Sequence, residues 1–285
     1  MQEIQKFIIG RWKGLVREGW QSVFADIHQL ADSGEVIVDK PDRVVRRIKT
    51  PKGVVYFKRI CGAGTGRGWY FLKSLLRTPR SLAIWHVSEQ MRLADLGCPL
   101  PLLAVSSCCF SSCRFEDILV TAEIPFPRVS DLLKDAKDDL ARASILQKAG
   151  QGIRELHEKG FVHGDCLPGN ICMDNAGKLV FLDNDRTVQK SVDFARVARL
   201  RNLIQFCSHA LTVLPDQSLL NQFLDSYNQN KVDKAAPWGA DKEVVTRKLQ
   251  QRVSKLEKEF GKKFPGCKLN SDHKIACNDS IGSQN

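Results

Sequence analysis

The stretch that most constrains this chain is HGDCLPGN at residues 163–170, followed by DND at 183–185. Asp165 stands five residues before Asn170, and Asp183 thirteen residues after it. All three side chains carry oxygen donors. A calcium loop would alternate its acids within one short segment; here they are spread apart. The segments between them read as two short strands, ICMD and KLVFLD, joined by the turn NAG. The spacing therefore predicts three oxygen-bearing side chains gathered from a loop, a hairpin and a strand end.

The flanking sequence indicates which scaffold could gather them. Before the motif, Leu146, Ala149, Ile153 and Leu156 recur at helical spacing, and Gly160 ends that helix. Nearer the start, EVIV (35–38), VVRRI (44–48) and VVYFKRI (54–60) are β-like runs separated by the turns DKPDR and TPKG, so an antiparallel meander is expected. A helix follows with Leu82, Trp85, Met91 and Leu96 at helical distances, stopped by Gly97 and Pro99. PLLAV and DILVTAEI supply two more strands, and the proline break over 123–127 marks a crossing between lobes. Helices are expected over about 191–211, 216–229 and 241–260, with Leu249, Val253, Leu256 and Phe260 on one face of the last.

The fold class read from this order is α+β: a bilobal, protein-kinase-like fold with a small antiparallel β-sheet lobe and a mainly helical lobe. Residues 1–34 are expected to be a helical extension, from the spacing of Ile4, Phe7 and Ile8. Residues 35–124 form the sheet lobe with its helix, 125–265 the helical lobe with the catalytic loop, and 266–285 a polar, disordered tail.

Charge and cysteine usage narrow the setting. Among 285 residues the net charge is +11, and between Lys40 and Arg80 twelve Lys or Arg face one acid, Asp42. Such a balance suits an anionic substrate or surface. Arg67, Trp69, Tyr70, Lys73 and Arg77 mix basic and aromatic side chains as an interfacial segment would. No secretory signal core and no transmembrane run is present, and no nucleic-acid-binding motif is found. The ten cysteines include the cluster Cys108, Cys109 and Cys113 but no CxxC pair, which reads as reduced thiols in a cytosol.

The order of elements now carries a resemblance. A strand bearing Lys58, a helix bearing Glu89, a linker, a helix, HGD-x₄-N, a hairpin and a strand-end aspartate together resemble the protein-kinase-like superfold. That resemblance implies ATP and Mg²⁺, with Asp165 as the catalytic base and Asn170 and Asp183 as the metal ligands. It further implies that Lys58 clasps the α- and β-phosphates while Glu89 holds Lys58 in an ion pair. Three features depart from protein kinases: Leu167 stands where a lysine is usual, Asp185 replaces the glycine of the metal-binding triplet, and little room remains for an activation segment. HGD-x-x-P-x-N with D-x-D looks like the small-molecule kinases.

YFKRI, the basic stretch with Gly-Trp, and Glu89, Leu96, Gly97, Pro99 and Pro101 are similar to the lipopolysaccharide kinase family, the Kdo and heptose kinases. This likeness implies ATP-dependent phosphorylation of a sugar hydroxyl on a lipid-linked glycan, in the cytoplasm and peripherally on the inner face of the inner membrane. The alternatives are a soluble kinase of a small sugar, aminoglycoside or choline, a RIO-like atypical protein kinase, and a pseudokinase scaffold. The β-turn DKPDR has no glycine to cradle phosphates, and Lys40 or Arg43 is expected to substitute by charge.

Overall fold

The computed structural model describes residues 3–61, 68, 71–72, 76–109, 114–190, 195–214, 216–229 and 242–260. Arg67, Trp69, Tyr70, Lys73, Cys113 and the expected tail lie outside the described residues.

The chain begins with a hairpin, β1 (Ile4–Ile9) and β2 (Trp12–Arg17), where a helix was expected. Ile4, Phe7 and Ile8 do have helical spacing, but the strand period prevails. Phe7 is buried and Ile9 packs on the same core, while Ile4 and Ile8 are left 41% and 67% exposed. Gly10 takes a φ of +53°, which suits the two-residue turn between the paired Ile9 and Trp12. Only then does a short helix follow, α1 (Ile27–Asp32), its first turn capped by the Asp26 carboxylate accepting from the Gln29 N–H at 2.9 Å.

The expected meander is β3 (Glu35–Lys40), β4 (Arg43–Thr50) and β5 (Gly53–Cys61). Next come α2 (Arg80–Leu93), β6 (Pro101–Cys109) and β7 (Arg114–Ala122). These strands make one seven-stranded antiparallel sheet in the order β1-β2-β6-β7-β5-β4-β3. Both faces are partly covered. On one, Phe24 and Ile27 bury themselves against Phe7, Trp12, Val55, Phe57 and Ile118. On the other, Ile84 and Trp85 of α2 pack on Ala104 and Leu119.

After the crossing at 123–127 the chain is mainly helical: α3 (Val129–Asp135), α4 (Asp139–Glu158), α5 (Arg196–Ala210), α6 (Leu220–Asn228) and α7 (Lys242–Phe260). Short strand pairs lie among them, β8 (Phe161–Val162) with β11 (Val188–Gln189) and β9 (Ile171–Met173) with β10 (Leu179–Phe181). Leu146, Ala149, Ile153 and Leu156 of α4 are fully buried and centre a second core with Phe206, Phe223, Leu249, Val253 and Leu256. Each buried Leu, Ile or Phe there contributes roughly 1.5–3 kcal/mol of transfer free energy. Val87 and Met91 join this core from α2, so that helix touches both halves of the molecule. Between the sheet and the helical half lies a cavity of about 500 Å³.

Candidate active site

The loop after β8 is fixed by a buried polar network. His163 is 1% exposed. Its Nε2 lies 2.8 Å from the Leu182 carbonyl, and its Nδ1 accepts the Asp165 N–H at 3.1 Å. The proton therefore sits on Nε2 and the ring is neutral. Beneath it, the Asn202 amide ties both the N–H and the carbonyl of His163, at 3.0 and 2.6 Å. The same Asn202 oxygen lies 3.1 Å from His157 Nε2, and His157 Nδ1 meets the Tyr227 hydroxyl at 2.8 Å. Gly164 is required by close approach, because a Cβ there would stand 1.9 Å from Arg186 Cβ.

Burial pushes His157 down to about 3 and lowers His163 as well. A histidine held neutral in the fold but free to charge when unfolded loses stability as pH falls. The loss starts at the unfolded value near 6.5 and ends at the folded one. His157 alone should cost about 1.4 kcal/mol per pH unit across that window. Urea unfolding at steps from neutral pH to about pH 4 reads this; a flat profile would mean that His157 takes up its proton as readily in the folded protein as in the unfolded chain.

The DND triplet follows β10. Asp183 has φ +52°, a left-handed backbone that costs a non-glycine residue of order 1 kcal/mol. The loop around it is over-determined. Buried Asn184 donates to the Phe181 carbonyl at 3.1 Å and accepts from the Thr187 hydroxyl at 3.0 Å. Lys58 reaches across from β5, where it pairs with Val45 and Leu119 on the neighbouring strands. Its ammonium bonds Asp183 at 2.8 Å and Asp185 at 2.7 Å. Arg80, at the start of α2, bonds the same Asp185 oxygen at 2.5 Å. Burial works to raise the Asp183 carboxyl, but the Lys58 charge and hydrogen bond, with Arg43 nearby, hold it below the usual range. It is ionised at neutral pH.

Lys58, Asn170 and Asp183 line the cavity, and Asp165 is joined to them through Asn170. Asn170 closes the 3₁₀ turn Pro168–Asn170 and donates its amide N–H to the Asp165 carbonyl at 3.1 Å and carboxylate at 3.2 Å. With that nitrogen engaged, its amide oxygen is the donor open to a cation. An amide oxygen beside an ionised carboxylate suits Mg²⁺, which takes few protein ligands and completes its shell with water and phosphate. Among the described residues no group of three or more His, Cys, Asp or Glu gathers as a metal site.

Glu89 does not meet Lys58. Its carboxylate is taken by Arg17 of β2, and Arg92 approaches at 3.8 Å. Arg17 comes from the hairpin that adds two strands beyond β6, so α2 is turned to face that hairpin. The acid that does hold Lys58 with Asp183 is Asp185, a residue whose role the sequence left open. Arg80 and Arg17 were not singled out at all. Nothing in their immediate sequence separates them from the chain's many other arginines. His157 did leave a signal, as a polar residue directly after Leu156 on the buried face of α4.

A solved structure of WaaP in complex with acyl carrier protein superposes with a TM-score of 0.58 at 14% identity, over 84% of this chain and 97% of that one. The likeness establishes a shared protein-kinase-like fold. A search of curated proteins gives no match. The model of the lipopolysaccharide kinase (Kdo/WaaP) family matches residues 54–227, a span that holds Lys58, Arg80, Glu89, Asp165, Asn170, Asp183 and Asp185. As that span exceeds half of the sequence, the chain belongs to the lipopolysaccharide kinase family and is a phosphotransferase acting on a sugar hydroxyl.

Proposed function

We propose that the protein transfers the γ-phosphoryl group of ATP to a Kdo or heptose hydroxyl of a lipid-linked core glycan. The observation that carries this reading is the convergence of Lys58, Asn170 and Asp183 on one cavity, with Asp165 bonded to Asn170. Phosphoryl transfer asks a protein mainly for positioning and charge. Val45, Leu119 and Leu182 give the cavity apolar walls suited to an adenine ring. Asn170 and Asp183 would hold Mg²⁺, which supplies neutralising charge on the phosphates. Lys58 leaves its two carboxylates to meet phosphate oxygens. Asp165 accepts the proton of the attacking hydroxyl. No helix among the described residues is long and apolar enough to cross a membrane. A lipid-linked acceptor would then be met at an anionic membrane surface, which the net charge of +11 favours.

The test offers the purified protein Mg-ATP with a lipid A–core acceptor, in detergent, and follows phosphate on the glycolipid by mass spectrometry. Mg²⁺-dependent gain of one phosphate on a core sugar is expected. Transfer only to a free sugar, aminoglycoside or choline would favour the soluble kinase. Transfer to protein would favour the RIO-like reading, and no ATP turnover with any acceptor would leave a scaffold.

A further inference from the structure

We propose that Arg43 binds the polyphosphate of the nucleotide, taking the place of a glycine-rich loop; this rests on the nucleotide reading above. The turn between β3 and β4 is only Pro41-Asp42 and contains no glycine. It is also tied down. The Cys61 N–H donates to the Asp42 carbonyl at 3.0 Å, and the Cys61 thiol lies 3.7 Å from the Pro41 carbonyl. A short turn anchored to the end of β5 has no run of free backbone N–H groups to lay over phosphates. A side chain must supply the donors instead.

Arg43 is the residue in position to do so. It opens β4 opposite Ile60, and Val45 stands opposite Lys58. Residues two apart share a face, so Arg43 and Lys58 are diagonal neighbours with Cα atoms roughly 7–8 Å apart. Both line the cavity with Asp183 and Asp185. The charges there are unequally committed. Lys58 is held by two carboxylates and Arg80 by one. Arg43 makes no ion pair among the described residues, and its Nε is buried without a hydrogen-bond partner. A buried N–H donor left without an acceptor is costly unless a ligand completes it. A phosphate does this best, because its oxygens match the planar fork in two parallel hydrogen bonds. Among the described residues Arg128 is the other cation lining the cavity without an ion pair, on the helical side at the N-cap of α3. Only Arg43 shares a strand pair with Lys58. It also lies outside residues 54–227, so the family match does not assign it.

Calorimetric titration of the full chain with Mg-ATP and with adenosine tests the proposal. Arg43→Ala should weaken Mg-ATP about 10- to 100-fold, the worth of one or two charge-assisted hydrogen bonds. Adenosine should bind as before, and Arg43→Lys should lie between, because it keeps the charge and loses the fork. Unchanged Mg-ATP affinity in Arg43→Ala would overturn the assignment. So would an equal loss for adenosine, which would mark a collapsed pocket instead of a lost phosphate contact. A wild-type chain that binds neither ligand would overturn the nucleotide reading itself, and Arg43 with it.

Discussion

Asp165→Asn should lower the turnover of Mg-ATP and acceptor by about 10²–10⁴, the usual contribution of a positioned base, while nucleotide affinity stays near that of the wild type. The substitution preserves shape. The Asp165 backbone N–H still reaches His163 Nδ1, and an amide oxygen can still accept from Asn170 at the present 3.2 Å. What is lost is the capacity to take a proton from the attacking hydroxyl. The measurement is a pair: kcat with saturating acceptor, and the Mg-ATP dissociation constant by titration. A variant with near-normal kcat would remove Asp165 from the chemistry. A variant that loses nucleotide binding as well would make Asp165 a keeper of the Asn170 turn, since Asn170 donates to its carbonyl and its carboxylate alike.

The parts of the site that were legible in the sequence were those governed by local spacing. HGD-x₄-N closes a 3₁₀ turn that brings Asn170 back to Asp165, and the hairpin of β9 and β10 returns the chain to Asp183. Short-range geometry of this kind follows from turn residues and strand alternation. The helical period of α4 was equally plain, because its apolar stripe is unbroken from Leu146 to Leu156. What stayed hidden depends on pairing between distant segments. Ile4, Phe7 and Ile8 fit a helix and a strand almost equally well. The choice was settled by β6, whose Ser106, Val105, Ala104 and Leu103 take up the edge offered by Lys13 to Val16. Once β2 lies there, Arg17 faces α2 and captures Glu89, and Lys58 is left to Asp183 and Asp185. A motif can specify that a lysine and a glutamate exist at compatible distances along the chain. It cannot specify that an arginine many residues upstream reaches the glutamate first.

That capture leads to the largest expected effect on stability. Arg17→Ala should destabilise the fold by about 3–5 kcal/mol, the range found when one partner of a buried ion pair is removed. Arg17 is 2% exposed, and three interactions end on it. Its Nε donates to the Pro101 carbonyl at 2.9 Å, its Nη2 bonds Glu89, and its guanidinium carbon stands 5.2 Å from the Trp85 ring centre. Without it the Glu89 carboxylate, whose side chain is 17% exposed, keeps only Arg92 at 3.8 Å among the described residues. The pair itself is not the source of so large a figure, because two buried charges gain little net energy over an apolar pair of similar volume. The penalty comes from the stranded carboxylate. Replacing both residues, as Arg17→Met with Glu89→Met, should therefore recover most of the loss, and urea unfolding of the two variants separates the cases. Glu89→Gln adds the functional half of the test. If Asp185 is the acid that positions Lys58, then Glu89→Gln keeps its Mg-ATP affinity while Asp185→Asn loses it. The reverse order would mean that Glu89 leaves Arg17 for Lys58 when nucleotide binds, and that α2 swings between the hairpin and the cleft during turnover.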